Sequence, residues 1–411
     1  MNKKGVPEAV YSGENRCIMG DTKFQALLPY YEEENKMKKL FALVLALALA
    51  LTVCSAFADE TVTLKIAHIG PLTGPAALYG VATSRGAQVA VEEINAADGK
   101  YRIELIDEDD QHVPEISKNA YQEVKKQGAQ MIVGTTTSDP CIAVGEDAYA
   151  DRMFMLTPSA SSVKVTAGKD NVYQMCFTDP NQGITAANYI ADNNLGTKIA
   201  VITNVSDPYS TGIRDAFLDT AEARSLEIVS ETEFNEGDAD FTVQVNDAKN
   251  AGADLVFLPI YYGPASMIIQ TAKNIGFEPT FFGVDGMDGI LAIPEFDVSL
   301  AEGVMLLCPF AASSPDEKTQ AFVAAYEAKF NDTPIQFAAD SYDCVYALKE
   351  AAEIAGITSD MSAKDCCDKL IAAMQQLEFT GLTGTSTWDA SGAVTKQPKV
   401  YKIVNGVYVE Q

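Results

Sequence analysis

Two clusters of small hydroxyl side chains stand where a carboxylate could be held without a matching charge. Thr135, Thr136, Thr137 and Ser138 follow the apolar run Met131-Ile132-Val133-Gly134, and Thr157, Ser159, Ser161 and Ser162 follow Met153-Phe154-Met155-Leu156. Hydroxyls and free backbone amides donate hydrogen bonds to an anion without adding charge or bulk. Further on, Tyr261 and Tyr262 close the run 255–260, and Asp285 sits in Gly283-Val284-Asp285-Gly286 after another short apolar run. A carboxylate set against hydroxyls invites an ammonium, so together the clusters read as a grip on a zwitterion, a free α-amino acid. Tyr79, at the end of a Gly/Pro loop, reads as an apolar wall over that ligand. Plainer readings stand beside these. Ser138, before Asp139-Pro140, can cap a helix; Ser159, Ser161 and Asp285 can be turn formers; Tyr79 can be loop packing.

Such groups need elements that bring them to one edge. Short apolar runs predict strands at 62–69, 102–107, 130–133, 153–156, 198–202, 226–231, 254–258, 279–282 and 304–308. Amphipathic stretches predict helices near 80–97, 115–127, 139–151, 182–194, 209–224, 240–251, 264–275, 316–330, 338–356 and 363–376. Alternating strands and helices predict α/β architecture with parallel sheets covered on both faces. Ligands of such sheets sit beyond the carboxyl ends of the strands, where the hydroxyls, Tyr261 and Asp285 fall. No low-complexity linker interrupts the pattern, which points to two similar lobes joined by several chain crossings.

Other chemistries lack their residues. The sequence holds no G-x-G-x-x-G fingerprint, no P-loop and no H-E-x-x-H. Ser161-Ser162-Val163-Lys164 matches a bare S-x-x-K, but its K-T-G companion is missing. His68 and His112 have no evident nucleophile or metal partner and read as structural. The cysteines beyond residue 58 (Cys141, Cys176, Cys308, Cys344, Cys366 and Cys367) show no zinc spacing and read as free buried thiols, with one or two disulfides as the alternative that export permits. No metal or cofactor is expected. The formal net charge of −27 argues against nucleic acid and anionic membranes as partners.

Residues 37–58 read as a secretory signal: Lys38 and Lys39, an apolar stretch over 40–53, and Ala56-Phe57-Ala58 as the cleavage site. Residues 1–36 fit no export pattern and read as an extension from a start codon placed too early. Cys54 offers a rival route, a lipid anchor, with Val53 in place of the small residue such a site prefers. The expected location is the periplasm or the outer face of the cytoplasmic membrane.

Taken together, these residues resemble the periplasmic branched-chain amino acid (Leu/Ile/Val) binding proteins of ABC transporters. The resemblance spans nearly all of 61–411. It rests on Gly70-Pro71-Leu72-Thr73-Gly74-Pro75 with Tyr79-Gly80, the block 134–162, Tyr209, Gly276, and Thr387-Trp388-Asp389. It implies the type I periplasmic binding protein fold: two Rossmann-like lobes with parallel sheets joined by three hinge crossovers. The N-terminal lobe would take 59–178 and 310–397, the C-terminal lobe 179–309 and 398–411. It further implies no catalysis, a monomer, and delivery of an aliphatic L-amino acid to an ABC permease. Ser138 and groups of Ser159 and Ser161 would bind the carboxylate. Asp285, Tyr261 and the 159–161 segment would bind the ammonium, and Tyr79 and Tyr209 would border the side chain, with Phe337 or Tyr342 near them. The chain departs from the best-known members at Asp285 (Glu there), Ser161 (Thr) and Ser159 (Ala), and Thr137 replaces a cysteine of their first-lobe disulfide. Alternatives are another small ligand (an amide or aromatic acid), a sensory ligand-binding module, and an exported serine hydrolase using Ser161 and Lys164.

Overall fold

Fully apolar four-residue runs cannot face water on either side, so they become strands at the centre of sheets that helices cover on both faces. The computed structural model describes residues 61–411; the 1–36 extension, the export signal and Cys54 lie outside them. A first sheet is built from β1 (Val62–Gly70), β2 (Tyr101–Asp109), β3 (Met131–Gly134), β4 (Phe154–Thr157) and β5 (Val172–Gln174), all parallel, in the order β2-β1-β3-β4-β5. Between them run α1 (Ala77–Ala96), α2 (Pro114–Lys126) and α3 (Ser138–Asp151).

The chain then repeats the plan. After α4 (Asp179–Asn193) come β6 (Lys198–Asn204), α5 (Pro208–Ala223), β7 (Glu227–Phe234), α6 (Thr242–Asn250), β8 (Leu255–Leu258), α7 (Tyr262–Asn274), β9 (Thr280–Gly283) and β10 (Met305–Cys308). These strands lie in the order β7-β6-β8-β9-β10, the same topology as the first sheet. β3, β4, β8 and β10 are buried at every residue.

The chain next returns to the first half. α8 (Glu317–Phe330), α9 (Gln336–Ala355) and α10 (Ala363–Met374) pack on α1, β3 and β4, followed by a small ribbon of β11 (Phe379–Gly381) and β12 (Gly384–Ser386). A last crossing carries it back to β13 (Lys399–Val404) and β14 (Val407–Glu410), which extend the second sheet beyond β10. The halves are thus linked three times: between β5 and α4, between β10 and α8, and between β12 and β13. The Trp388 indole N–H holds the last crossing to the first sheet, donating to the Gln174 carbonyl at 2.7 Å.

Two expectations are corrected. The second sheet is mixed, since β13 pairs antiparallel with β10 and with β14. Asn405-Gly406, both at positive φ, makes the two-residue turn that folds this hairpin. And α4 starts at Asp179, not 182, with Pro180 in its first turn, where a missing N–H costs nothing. All six described cysteines are free and buried. No helix among the described residues is long and apolar enough to cross a membrane.

Candidate functional site

In both sheets the strand order reverses between the first strand and the third, β1/β3 in one half and β6/β8 in the other. The loops that leave those strands splay apart there and open a crevice. From the first half, the first turn of α1 delivers Tyr79, the loop after β3 and the start of α3 deliver Thr136 to Ser138, and the loop after β4 delivers Ser159 and Ser161. A web of hydrogen bonds fixes these loops. The Thr157 hydroxyl donates to the Thr135 carbonyl (2.6 Å) and accepts from the Ala160 N–H (3.0 Å). Gln174 reaches over from β5 to donate to the carbonyls of Ala160 (2.7 Å) and Ser162 (3.1 Å).

Ser138 opens α3 but does not cap it: its oxygen accepts from the Ser162 N–H at 3.2 Å, which leaves its own proton free to donate. Ser159 has committed its proton to the Thr136 carbonyl (2.6 Å). The Ser161 hydroxyl is buried beside the Asp179 carboxyl.

From the second half, the first turn of α5 delivers Tyr209, the loop after β8 delivers Tyr261, and the turn after β9 delivers Asp285. The Tyr209 hydroxyl donates to the Asp285 carboxylate at 2.6 Å and accepts from the Gly286 N–H at 2.8 Å. Only glycine fits at 286, since a Cβ there would lie 2.5 Å from that hydroxyl. Gln182 accepts from the Asp285 N–H at 3.0 Å, and the Tyr209 and Tyr261 rings stack at 4.7 Å.

The two sets meet. Tyr79, 1% exposed, reaches across so that its hydroxyl donates to the Gly286 carbonyl, while its ring packs against Tyr261, Tyr262 and Phe337. Tyr262 returns the contact by donating to the Pro75 carbonyl at 2.8 Å. Tyr79, Thr136, Thr137, Ser159, Tyr209, Tyr261, Asp285, Gly286 and Phe337 line a narrow cavity of about 10 Å³, the room of a single water. Its electrostatics are one-sided. Burial pushes the Asp285 carboxyl up to about 6, against the Tyr209 and Gln182 hydrogen bonds. Burial also raises Asp179 well above the carboxylate range, with the nearby Asp285 adding to it. Asp207, buried beside these, is pushed up to about 7. No lysine or arginine pairs with any of the three among the described residues.

Of the expected residues, Tyr79, Ser159, Tyr209, Tyr261 and Asp285 therefore line one cavity. Ser138 and Ser161 stand behind its lining. Phe337 joins the lining and Tyr342 does not: its hydroxyl donates to Glu93 at 2.5 Å, against α1. The histidines have partners that the sequence reading did not find. His68 lies between Asp107 (2.7 Å) and Thr83 (2.8 Å), but Thr83 is fully buried and no open nucleophile results. His112 bonds the Thr137 hydroxyl at 2.8 Å and faces Tyr261 at the cleft mouth. Asp179 and Gln182 were not singled out in advance. No group of His, Cys, Asp and Glu able to hold a metal occurs among the described residues.

Comparison with known proteins gives a consistent picture. A family model described as periplasmic binding protein matches residues 63–406. A leucine-, isoleucine-, valine-, threonine- and alanine-binding protein of Pseudomonas aeruginosa is 27% identical over 87% of this chain and 93% of its own length. A Leu/Ile/Val-binding protein of Rhizobium johnstonii is 30% identical over 83% and 90%. The crystal structure of a branched-chain amino acid transporter substrate-binding protein from Streptococcus pneumoniae, in complex with isoleucine, superposes with a TM-score of 0.76 at 28% identity, covering 85% of this chain and all of that one.

Proposed function

The chain belongs to the periplasmic binding protein family, and from that premise we propose that it is the extracytoplasmic solute receptor of an ABC importer for aliphatic, above all branched-chain, L-amino acids. The observation that carries the reading is Asp285: a buried carboxylate, oriented by Tyr209, without a basic partner, across a small cavity from uncharged donors. An ammonium supplies the missing charge. The free proton of Ser138 and the hydroxyl and backbone N–H of Ser161 take the carboxylate. Tyr79, Tyr209 and Phe337 border the side chain, and Tyr261 closes over the ammonium.

The halves, 59–178 with 310–397 and 179–309 with 398–411, act as lobes that hinge at the three crossings. Contacts made to ligand only when the lobes meet shift the hinge toward closure. The protein works as an exported monomer that hands its ligand to a permease and performs no catalysis. Relatives named for Leu, Ile and Val support the ligand class.

A thermal-shift screen against free amino acids, simple amides and aromatic acids tests this. An aliphatic amino acid at 100 times its dissociation constant stabilises the protein by about 2.7 kcal/mol. A shift with an amide or aromatic acid and none with any amino acid would overturn the proposal.

A further inference from the structure

A second, larger cavity lies beside the Asp285–Met287 turn and shares no lining residue with the first. It opens to solvent and has a volume of about 600 Å³. Its walls come from both halves: Asp288 follows the turn, Phe310 lies on the crossing after β10, Glu327 is on α8, Asp332 and Ile335 precede α9, and Tyr408 is on the β13–β14 hairpin.

The chemistry of those walls is specific. Asp288 is 1% exposed, and its carboxylate accepts from the Gln336 N–H and the Gly289 N–H, both at 2.8 Å. The Tyr408 hydroxyl is buried beside it and directed at the Asp288 carboxylate. No lysine, arginine or histidine lines the cavity. Asp332 is held by Arg85 at 2.8 Å, so Asp288 and Glu327 are the acids without a basic partner. An anion would be repelled here. A purely apolar molecule would strip water from Asp288 and Tyr408 and return nothing. A cation with a hydrocarbon body can place its N–H groups on Asp288 and Tyr408 and its apolar part against Phe310 and Ile335.

We propose that this cavity is a second ligand site, for a small organic ammonium ion with an apolar body, coupled to the amino-acid cleft. The coupling runs through Gln336. Its backbone N–H holds Asp288, and its side chain donates to the Asp285 carbonyl at 2.7 Å. Gln336 opens α9 in the first half, whereas Asp285 and Asp288 belong to the second. An ammonium that orders the Asp288 side favours the arrangement in which the halves meet, and by linkage it raises affinity for the amino acid. The coupling rests on the amino-acid reading above; occupation of the rear cavity does not.

Calorimetric titration of the purified protein with phenethylamine tests the site, with 2-phenylethanol as its uncharged shape mimic. Phenethylamine binds at least about tenfold more tightly than the alcohol. Ala292→Trp, at an exposed position on the cavity wall, weakens the amine by about tenfold and leaves leucine binding unchanged. Glu327→Gln, also exposed, weakens the amine less and serves as a second variant should the tryptophan disturb folding. Saturating amine tightens leucine binding by about fivefold or more. Absence of binding at millimolar phenethylamine, equal binding of the alcohol, or wild-type amine affinity in both variants overturns the site. Amine binding without any effect on leucine overturns the coupling. Amine binding in a protein that binds no amino acid upholds the site and refutes the amino-acid reading instead.

Discussion

Two buried acid clusters in this molecule differ in one respect. Around α9, Asp340 and Asp343 are buried with a lysine of their own: the Lys396 ammonium lies 3.7 Å from Asp340 and donates to the Thr383 hydroxyl at 2.7 Å. Asp343 also accepts from the N–H groups of Leu382 and Thr383 and from the Thr383 hydroxyl. At the cleft, Asp285 and Asp179 are as deeply buried, and Asp179 has only the uncharged hydroxyls of Ser161 and Ser162 beside it. Burial raises all four. The first cluster ties the third crossing to α9 with a cation the chain encodes. The second leaves the charge to be supplied from outside, as a site for an ammonium requires. Burial alone does not separate architecture from function here; the provenance of the counter-charge does.

The comparison breaks most visibly at Lys396. Lys396→Met strands Asp340 and Asp343 without a cation, and removing one partner of a buried pair costs about 3–5 kcal/mol. Thermal or urea unfolding above pH 8, where Asp340, pushed up to about 8 by burial, is ionised, measures the loss, which shrinks toward pH 5, where it is protonated. Stability unchanged from wild type would mean that the lysine is incidental.

Asp285→Asn gives the opposite pattern. The ligand-free protein keeps or gains stability, because a buried charge beside Asp179 is gone. Amino-acid affinity, measured by calorimetry, falls by at least about thirtyfold, the lower end of the roughly 2–5 kcal/mol typical of a stranded charge. Wild-type affinity in this variant would remove Asp285 from the site.

What the sequence revealed follows from how local each signal is. The apolar runs and their terminal hydroxyls are contiguous, so the strands, most helices and the strand-end clusters could be read from it directly. Pairing across the fold could not. His68 meets Asp107 because β1 and β2 lie side by side with these two residues in register, and nothing within either strand announces the other. Phe337 and Tyr342 look alike as aromatics near a helix start, but five residues turn a helix by about 140°, so one ring faces the cleft and the other α1. Three-residue β5 is too short to show a period. The β13–β14 hairpin did carry a signal, Asn405-Gly406, that the alternation of strand and helix upstream overshadowed. Asp179 was hidden by a helix start placed three residues too late, which left its carboxyl unrecognised as part of the acidic side of the cleft.

The smallest expected effect sharpens the comparison through pH. A carboxyl raised by burial holds its proton in the folded protein after the unfolded chain has lost its own, so the native state binds more protons and stability falls as pH rises. For Asp285 and Asp288, pushed up to about 6, that loss runs from about pH 4 to 6; Asp207, at about 7, extends it upward. The carboxylates lowered by their partners, such as Asp107 and Asp151, stay ionised throughout and add no slope there. The ligand-free protein therefore melts at a higher temperature near pH 5 than near pH 7.5. Ligand binding runs the other way, since the ammonium needs Asp285 ionised: affinity drops by about tenfold between pH 7 and pH 5, as the ionised fraction of a group near 6 does. Calorimetry at the two pH values, with Asp285→Asn as the control that loses the slope, reads both arms. An affinity independent of pH in the wild type would show that the ligand's positive end is held by something other than this carboxylate.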